Sequence, residues 1–545
     1  MLHLYARLKQ METDMFDWTI MIYFGGDNNL GEEMIWALKD IQAWRRSANH
    51  DANIKVCALF DGGGPPVLIN DDILAVYTAD DLHGSAQDPK PQYHASSNGA
   101  SRDSAILDRT VAVRLRADQK KVIRPLPPKV PPVKNILAKF IEIVFKDFEA
   151  DRYMLVLAGH GSGAVGDFLT GDKRVFGLTI QGLGEVLYAV KEKHGTEEKP
   201  KPIDILGMDS CQMSMAEVAC EVQDSVQLMV GTEGFQPNAG WPYEDVLNLL
   251  NNPQIAADPG EFAEAIVRTH ITYYLDYASA DLSTDMAVIN LDQFEVFQHA
   301  LQGLTHALGF VPQTDQRFES IEKLPAEALS AKLDEMIGKT TLADPDLVDA
   351  IVLAHWKAQG YKKEQYIDLW DFCDQLSQRL EHPKNAEIKK IYNACEKIKE
   401  VIEPTKPTYP DKMFIRLSGY SGPQFQHSHG ISVFFPWASL MDAAGVTDLE
   451  YYQSLRFARV TAWDELIRLY LYKTQREVRE ENATGKQLPS LINRRTGLFA
   501  PFGRDPEGDP VEHAAQTLGV PRIESMKNPP IKWKKWEGVS EPVKQ

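Results

Sequence analysis

No run among the 545 residues approaches the roughly 18 apolar residues of a membrane-spanning helix, and the opening MLHLYARLKQMETDMFDW has no apolar core of a secretory signal. The expected location is the cytoplasm, with no membrane partner. Cysteine is scarce: there are five, an odd number without paired spacing, which argues against a disulfide framework and for reduced thiols. Positive charge is in deficit, with 58 Lys and Arg against 77 Asp and Glu. The net charge of −19 disfavours nucleic acid and anionic lipid and favours the approach of cationic substrates, although solubility alone accounts for it. Clustered metal ligands are missing from the sequence as well. No compact oxygen-ligand loop for calcium stands out, and His427-Ser428-His429 has no third ligand and reads as a surface loop. The glycines of Asp61-Gly62-Gly63-Gly64-Pro65-Pro66 are not followed by Lys and Ser or Thr, so they read as a turn and not as a phosphate cradle.

What the chain does have is core. Its 43% hydrophobic residues suffice for about two to four domains at this length. Apolar strands at 18–24, 53–60, 152–158, 203–208, 226–230 and 286–291 alternate with helical periodicity at 30–41, 136–148, 179–194, 261–274 and 294–304. Asn29 is placed to cap the first helix. This alternation predicts an α/β fold, a mostly parallel sheet with helices on both faces. The expected organisation is a leader at 1–16 and a core at 17–310 with a Pro-containing insertion at about 67–134. A C-terminal α/β portion follows at 311–475, with a helix at 368–380, a strand at 431–435 and one long helix at 450–472. The charged, Pro-rich stretch at 476–545 reads as an extended tail that could dock a partner.

Two strand ends carry the chemistry. The apolar run from Ile203 passes straight into Asp209-Ser210-Cys211 and then a helical stretch, and parallel strands present ligands at their carboxyl ends. A helix opening just after Cys211 would lower its thiol pKa through its N-terminal amides. A lone buried cysteine is more often a small hydrophobe, so a second element is needed. It is supplied by the strand ending in Gly159-His160-Gly161-Ser162-Gly163, about 50 residues upstream, a spacing also noted for caspases. A thiol needs a base within reach, and glycines beside the histidine let backbone N–H groups approach a substrate carbonyl. The glycines at 161, 163 and 166 also match a dinucleotide-binding fingerprint, but the following residues read as a loop where that motif opens a helix. A dinucleotide enzyme and an inactive peptide-binding or regulatory protein are the alternative readings.

Further motifs are spread along the chain: Trp18-Thr19-Ile20-Met21-Ile22-Tyr23 with Asp27-Asn28-Asn29-Leu30, His160-Gly161-Ser162-Gly163, Met208-Asp209-Ser210-Cys211-Gln212-Met213 and Gly240-Trp241-Pro242-Tyr243. Later come Ile367-Asp368-Leu369-Trp370-Asp371-Phe372, Gly430-Ile431-Ser432-Val433-Phe434-Phe435-Pro436 and Trp463-Asp464-Glu465-Leu466. Over roughly 17–472 the sequence resembles the clostripain family of cysteine peptidases, relatives of caspases, gingipains and legumains. The resemblance implies a caspase-like fold and an endopeptidase with Cys211 as nucleophile and His160 as its acid and base. Gly161 and Cys211 would offer N–H groups to the oxyanion, and Asp209, with Trp241 nearby, would form a pocket for Arg or Lys. An aspartate at a turn needs no such role to explain it. Many relatives carry an acidic residue immediately before the Gly-Trp pair where this chain has Ala239, a place Glu233 could compensate. The resemblance also implies self-cleavage in the loop after His160, for which Lys173-Arg174 is the candidate site. No cofactor is expected to be required; calcium is used by some relatives.

Overall fold

The computed structural model describes residues 15–46, 53–62, 67–69, 132–171, 177–275, 282–310, 326–361, 365–405, 409–437, 448–484 and 532–534. These residues form two compact units. The first contains the described residues up to Ser214 together with Glu221–Tyr273 and Met286–Asp292. Its strands are β1 (Phe16–Gly25), β2 (Ile54–Asp61), β3 (Val67–Ile69), β4 (Ala150–Ala158), β5 (Ile203–Asp209), β6 (Val226–Gly231) and β7 (Thr284–Asn290). Its helices include α1 (Gly31–Arg46), α2 (Val133–Asp147), α3 (Ile180–His194), α5 (Tyr243–Asn248) and α6 (Pro259–Leu275), while α4 (Ala216–Val222) begins in the second unit, to which Met215–Cys220 belong.

The strands lie in the order β3-β2-β1-β4-β5-β6-β7. Pairs β1-β2, β1-β4, β4-β5 and β5-β6 are parallel, while β3 and β7 are antiparallel to their neighbours. Every residue of β2, β5 and β7 is buried, as expected of strands covered on both faces. Leaving β1, the chain crosses through α1 to β2 on one side; leaving β4, it crosses through α3 to β5 on the other. Right-handed crossovers in opposite directions put α1 on one face of the sheet and α2 and α3 on the other. Packing agrees, since α1 contacts α5 and α2 contacts α3. The α2 stripe of Val133, Ile136, Leu137, Phe140, Ile141 and Val144 is buried at helical spacing. Thr179 Oγ1 caps α3 by accepting from Gly182 N at 2.9 Å. The expected α/β fold with a mostly parallel sheet is thus the observed one.

The direction of the crossovers reverses between β1 and β4. A reversal of this kind opens a crevice at the carboxyl ends of the strands. The register brings those ends level, Phe24 opposite Ala158 and Ala158 opposite Asp209.

The second unit comprises Met215–Cys220, Tyr274–Asp285 and the described residues from Gln293 onward. It contains α7 (Phe294–Ala307), α8 (Ala326–Ile337), α9 (Pro345–Lys357), α10 (Leu369–Arg379) and α11 (Ala386–Ile402), with consecutive packing of α9 on α10 and α10 on α11. Strands β8 (Gly360–Tyr361), β9 (Tyr366–Asp368) and β11 (Ser432–Phe434) form an antiparallel sheet, and β10 (Ile415–Ser421) pairs with β12 (Lys532–Lys534). The long helix expected at 450–472 is three: α12 (Asp448–Ser454), α13 (Arg456–Thr461) and α14 (Trp463–Thr484). Leu455 is extended and Ala462 has φ of 57°, so the chain turns twice, and fully buried Trp463 is held by Nε1 donating to Phe434 O at 2.8 Å. Helix α14 also continues beyond 475 into the segment read as tail.

The surface-loop reading of His427-Ser428-His429 fails for its last two residues, which are buried. His429 stacks on Trp370 with centroids 4.0 Å apart, and its Nδ1 lies 3.2 Å from Asp368 Oδ1. Asp368 in turn caps α10, accepting from Asp371 N at 2.7 Å. Of the expected insertion, β3 is described and 70–131 are outside the described residues, as are 1–14 of the leader and the candidate processing site at Lys173 and Arg174. No described helix is long and apolar enough to cross a membrane.

Candidate active site

One cleft in the first unit lies at the reversal point. It is lined by Phe24, Leu30, Glu33, Met34 and Ala37 from the β1–α1 segment, by Ala158, Gly159 and His160 after β4, by Asp209 and Cys211 after β5, and by 236–240. The structure therefore brings together His160, Cys211 and Asp209, three residues singled out from separate parts of the sequence.

Gly159 N donates to Asp209 O at 3.1 Å, carrying the β4–β5 ladder one rung past the strands. Beyond it Gly161 packs on the backbone of Cys211: a Cβ there would stand 1.8 Å from the Cys211 carbonyl oxygen. Only glycine fits. The Cys211 turn is fixed from three sides, since Ser210 Oγ donates to Leu157 O at 3.0 Å, Gln212 N to Gly234 O at 2.8 Å and Ser214 N to Thr232 O at 2.9 Å. Gln212 adopts φ of 60° within that turn. Cys211 Sγ accepts from Gln236 N at 3.3 Å and lies 3.7 Å from Gln236 O. Among the free cysteines, Cys57, Cys220, Cys373 and Cys395 are buried and Cys211 is partly exposed. Burial pushes the Cys57 thiol up to about 12, an inert core group. The expected helix N-terminus at Cys211 is absent: α4 starts only at Ala216, because the chain first runs extended through the bridge between Met215 and Ser432. Helix amides are therefore not in place to activate the thiol.

The histidine has a partner that sequence reasoning assigned elsewhere. Asn29 Oδ1 lies 2.7 Å from His160 Nε2, so Asn29 contacts the imidazole and is not the helix cap. The neighbouring Asn28 builds the loop: its Oδ1 accepts from Leu30 N at 2.8 Å, and its Nδ2 donates to Gly25 O and Thr170 O. Leu169 N donates to His160 O at 2.8 Å, tying down the same histidine from its other side. An amide oxygen only accepts, so Nε2 carries the proton of the neutral ring and Nδ1 keeps a lone pair. Burial holds His160 below the usual imidazole pKa, which keeps it neutral at pH 7.

Asp209 is 6% exposed and aligned by its surroundings. Its Oδ2 accepts from Tyr243 OH at 2.8 Å and from Trp241 N at 3.2 Å, while its Oδ1 has no hydrogen-bond partner among the described residues. Burial pushes its pKa up to about 6 against the pull of those two donors, leaving it mostly ionised at pH 7. Trp241 is buried across β5: a Cβ on Gly207 would meet its ring at 2.7 Å. Glu233 is fully buried and does not line the cleft, whereas Ala239 is exposed on its rim. Among the lining residues not singled out from sequence are Glu33, on the first turn of α1, and Gln236, whose side chain is buried. Their spacing from the motifs carries no signal; only the fold places them here. The Gly161–Gly166 segment does not open a helix, since the next one begins at Ile180, and among the described residues no cluster of three or more His, Cys, Asp or Glu could hold a metal ion.

The clostripain family model matches residues 22–469. Clostripain of Hathewaya histolytica is 22% identical over 448 residues, covering 77% of this chain and 74% of that protein. Among solved structures, a secreted C11 cysteine protease of Bacteroides thetaiotaomicron in complex with an irreversible peptide inhibitor is 14% identical, covers 82% of this chain and 99% of its own, and gives a TM-score of 0.48. An inactive zymogen C11 protease of Parabacteroides distasonis is 17% identical over 82% of this chain and 98% of its own, with a TM-score of 0.44. The cleft thus lies within a stretch of chain that the family model spans almost from β1 to α14, and on that match the chain belongs to the clostripain family and is a clostripain-like cysteine peptidase.

Proposed function

We propose that this peptidase works through a Cys211–His160 dyad and cuts after Arg or Lys. Cys211 Sγ attacks the scissile carbonyl as its proton passes to the imidazole, giving a tetrahedral intermediate. The backbone N–H groups of Gly161 and Cys211 are the candidate donors to its oxyanion. His160 then protonates the leaving amine, an acyl-enzyme remains, and the same ring activates the water that hydrolyses the thioester. The observation that carries the reading is that His160 and Cys211 line one cleft with Gly161 packed on the cysteine backbone. Support for basic specificity comes from Asp209, an ionised carboxylate in the same cleft with one oxygen unpartnered among the described residues. A desolvated guanidinium or ammonium would supply the missing donor. No step calls on a metal, and the proposed calcium independence is read by assaying turnover with a chelator present.

Cys211→Ala and His160→Ala should each lower peptide hydrolysis by orders of magnitude with the fold intact. Near-wild-type turnover by purified Cys211→Ala on any peptide sinks the mechanism. A peptide library dominated by apolar or acidic residues before the cut sinks the specificity.

A further inference from the structure

We propose that Glu33 is a specificity-determining residue, the second carboxylate that reads the cationic side chain of the substrate in place of the acidic residue that Ala239 does not supply. The inference rests on the basic-residue reading given above. An acidic residue in the first turn of a helix needs no ligand to explain it, because the helix dipole favours it there. Glu32 and Glu33 share that turn, and they differ in what surrounds them. Glu32 is exposed, whereas Glu33 lines the cleft, and its Oε2 is out of solvent with no hydrogen-bond partner among the described residues.

Two other groups in the same cleft are in the same condition. Asp209 Oδ1 has no partner, and neither side-chain polar atom of buried Gln236 has one among the described residues. Buried polar atoms are nearly always satisfied, and leaving them unsatisfied is costly. Three such side chains around one cleft, two of them carboxylates, call for a ligand rich in N–H donors and positively charged. A guanidinium offers five donors and an ammonium three, so Arg or Lys of a peptide fits and a neutral or acidic side chain does not. Glu33 approaches from the β1–α1 side of the cleft and Asp209 from the end of β5, so the cation would be held between elements far apart in sequence.

The test compares peptides that differ only in the residue before the scissile bond: Arg, Lys or citrulline, the uncharged isostere of Arg. Glu33→Gln should lower kcat/KM for the Arg and Lys peptides by about 10- to 100-fold, the range for a hydrogen bond to a charged group, and leave the citrulline peptide within about twofold. Iodoacetamide should alkylate Cys211 at the wild-type rate in that variant. Glu33→Ala is read the same way, so a folding failure of one variant leaves the other decisive. A wild type that cleaves citrulline peptides as fast as Arg peptides overturns the basic-residue reading and this inference with it. A wild type that prefers Arg, with both Glu33 variants keeping the full Arg-to-citrulline ratio, overturns the Glu33 assignment alone.

Discussion

Replacing Asn29 by Ala should reduce turnover through His160 without touching the cleft that holds the substrate side chain. With Asn29 Oδ1 accepting at 2.7 Å, the His160 proton sits on Nε2, and in the proposed dyad the same contact would steady the imidazolium formed when Cys211 is deprotonated. A hydrogen bond to a charged group contributes about 1.5–3 kcal/mol, but Asn29 is exposed and His160 only partly buried, so a contribution around or below the lower end of that range applies. About 1–2 kcal/mol corresponds to a loss of roughly 5- to 30-fold in kcat. KM for a saturating peptide should stay within about twofold, because the contact gains strength in the transition state and not in substrate binding. Asn29→Asp separates positioning from simple damage. A carboxylate beside the ring favours the imidazolium and should move the acidic limb of the kcat/KM profile upward by about 1 unit or more. The assay is kcat and KM from pH 5 to 9 on one fluorogenic peptide, with Tm as a control for folding. Wild-type kcat in folded Asn29→Ala, together with an Asn29→Asp profile that overlies the wild type, would falsify the positioning role.

Three further outcomes follow from particular contacts. Gly161→Ala should abolish activity, because its Cβ would lie 1.8 Å from the Cys211 carbonyl oxygen and one of the two loops must give way; retained kcat would show that the loops tolerate separation. Glu217 is fully buried in the second unit, accepts from Phe434 N at 2.9 Å and Tyr452 OH at 2.7 Å, and is pushed by burial up to about 7. The folded chain therefore holds a proton that the unfolded chain releases near its ordinary carboxylate pKa, so this group's contribution falls as pH rises from about 4.5 to 7 and is unfavourable by up to about 3 kcal/mol above that. Glu217→Gln keeps the acceptor and should raise Tm at pH 8 with the gain shrinking toward pH 5; an equal gain at both pH values would refute the titration. If Lys173-Arg174 is a self-cleavage site, incubation should yield a new N-terminus at Arg174 or Val175 in the active protein and none in Cys211→Ala; an active enzyme that stays one intact chain disposes of that proposal.

Much of the candidate site was legible because its signals are local. A continuous apolar run such as 203–208 must be a covered strand, and the polar residues that interrupt it, Asp209 to Cys211, must stand at its end. The same reasoning placed His160 at the end of β4, and alternating strands and helices were enough for the α/β class. Local pattern could not say which strands are neighbours. That β1 lies between β2 and β4 is decided by pairing across the sheet, and only this order puts Asn29 against His160 and turns Glu33 and Gln236 into cleft residues. It also explains the errors. A helix looks set to open just after Cys211 until Met215 bridges to Ser432 and α4 starts only at Ala216; 450–472 looks like one helix until Trp463 is drawn into a buried site beside Phe434; and His429 looks like part of a loop until Trp370 and Asp368 enclose it. In each case a long-range contact overrode a local preference worth at most about 1 kcal/mol per residue, which is why sequence determined the elements and their chemistry, and the tertiary structure decided which side chains meet.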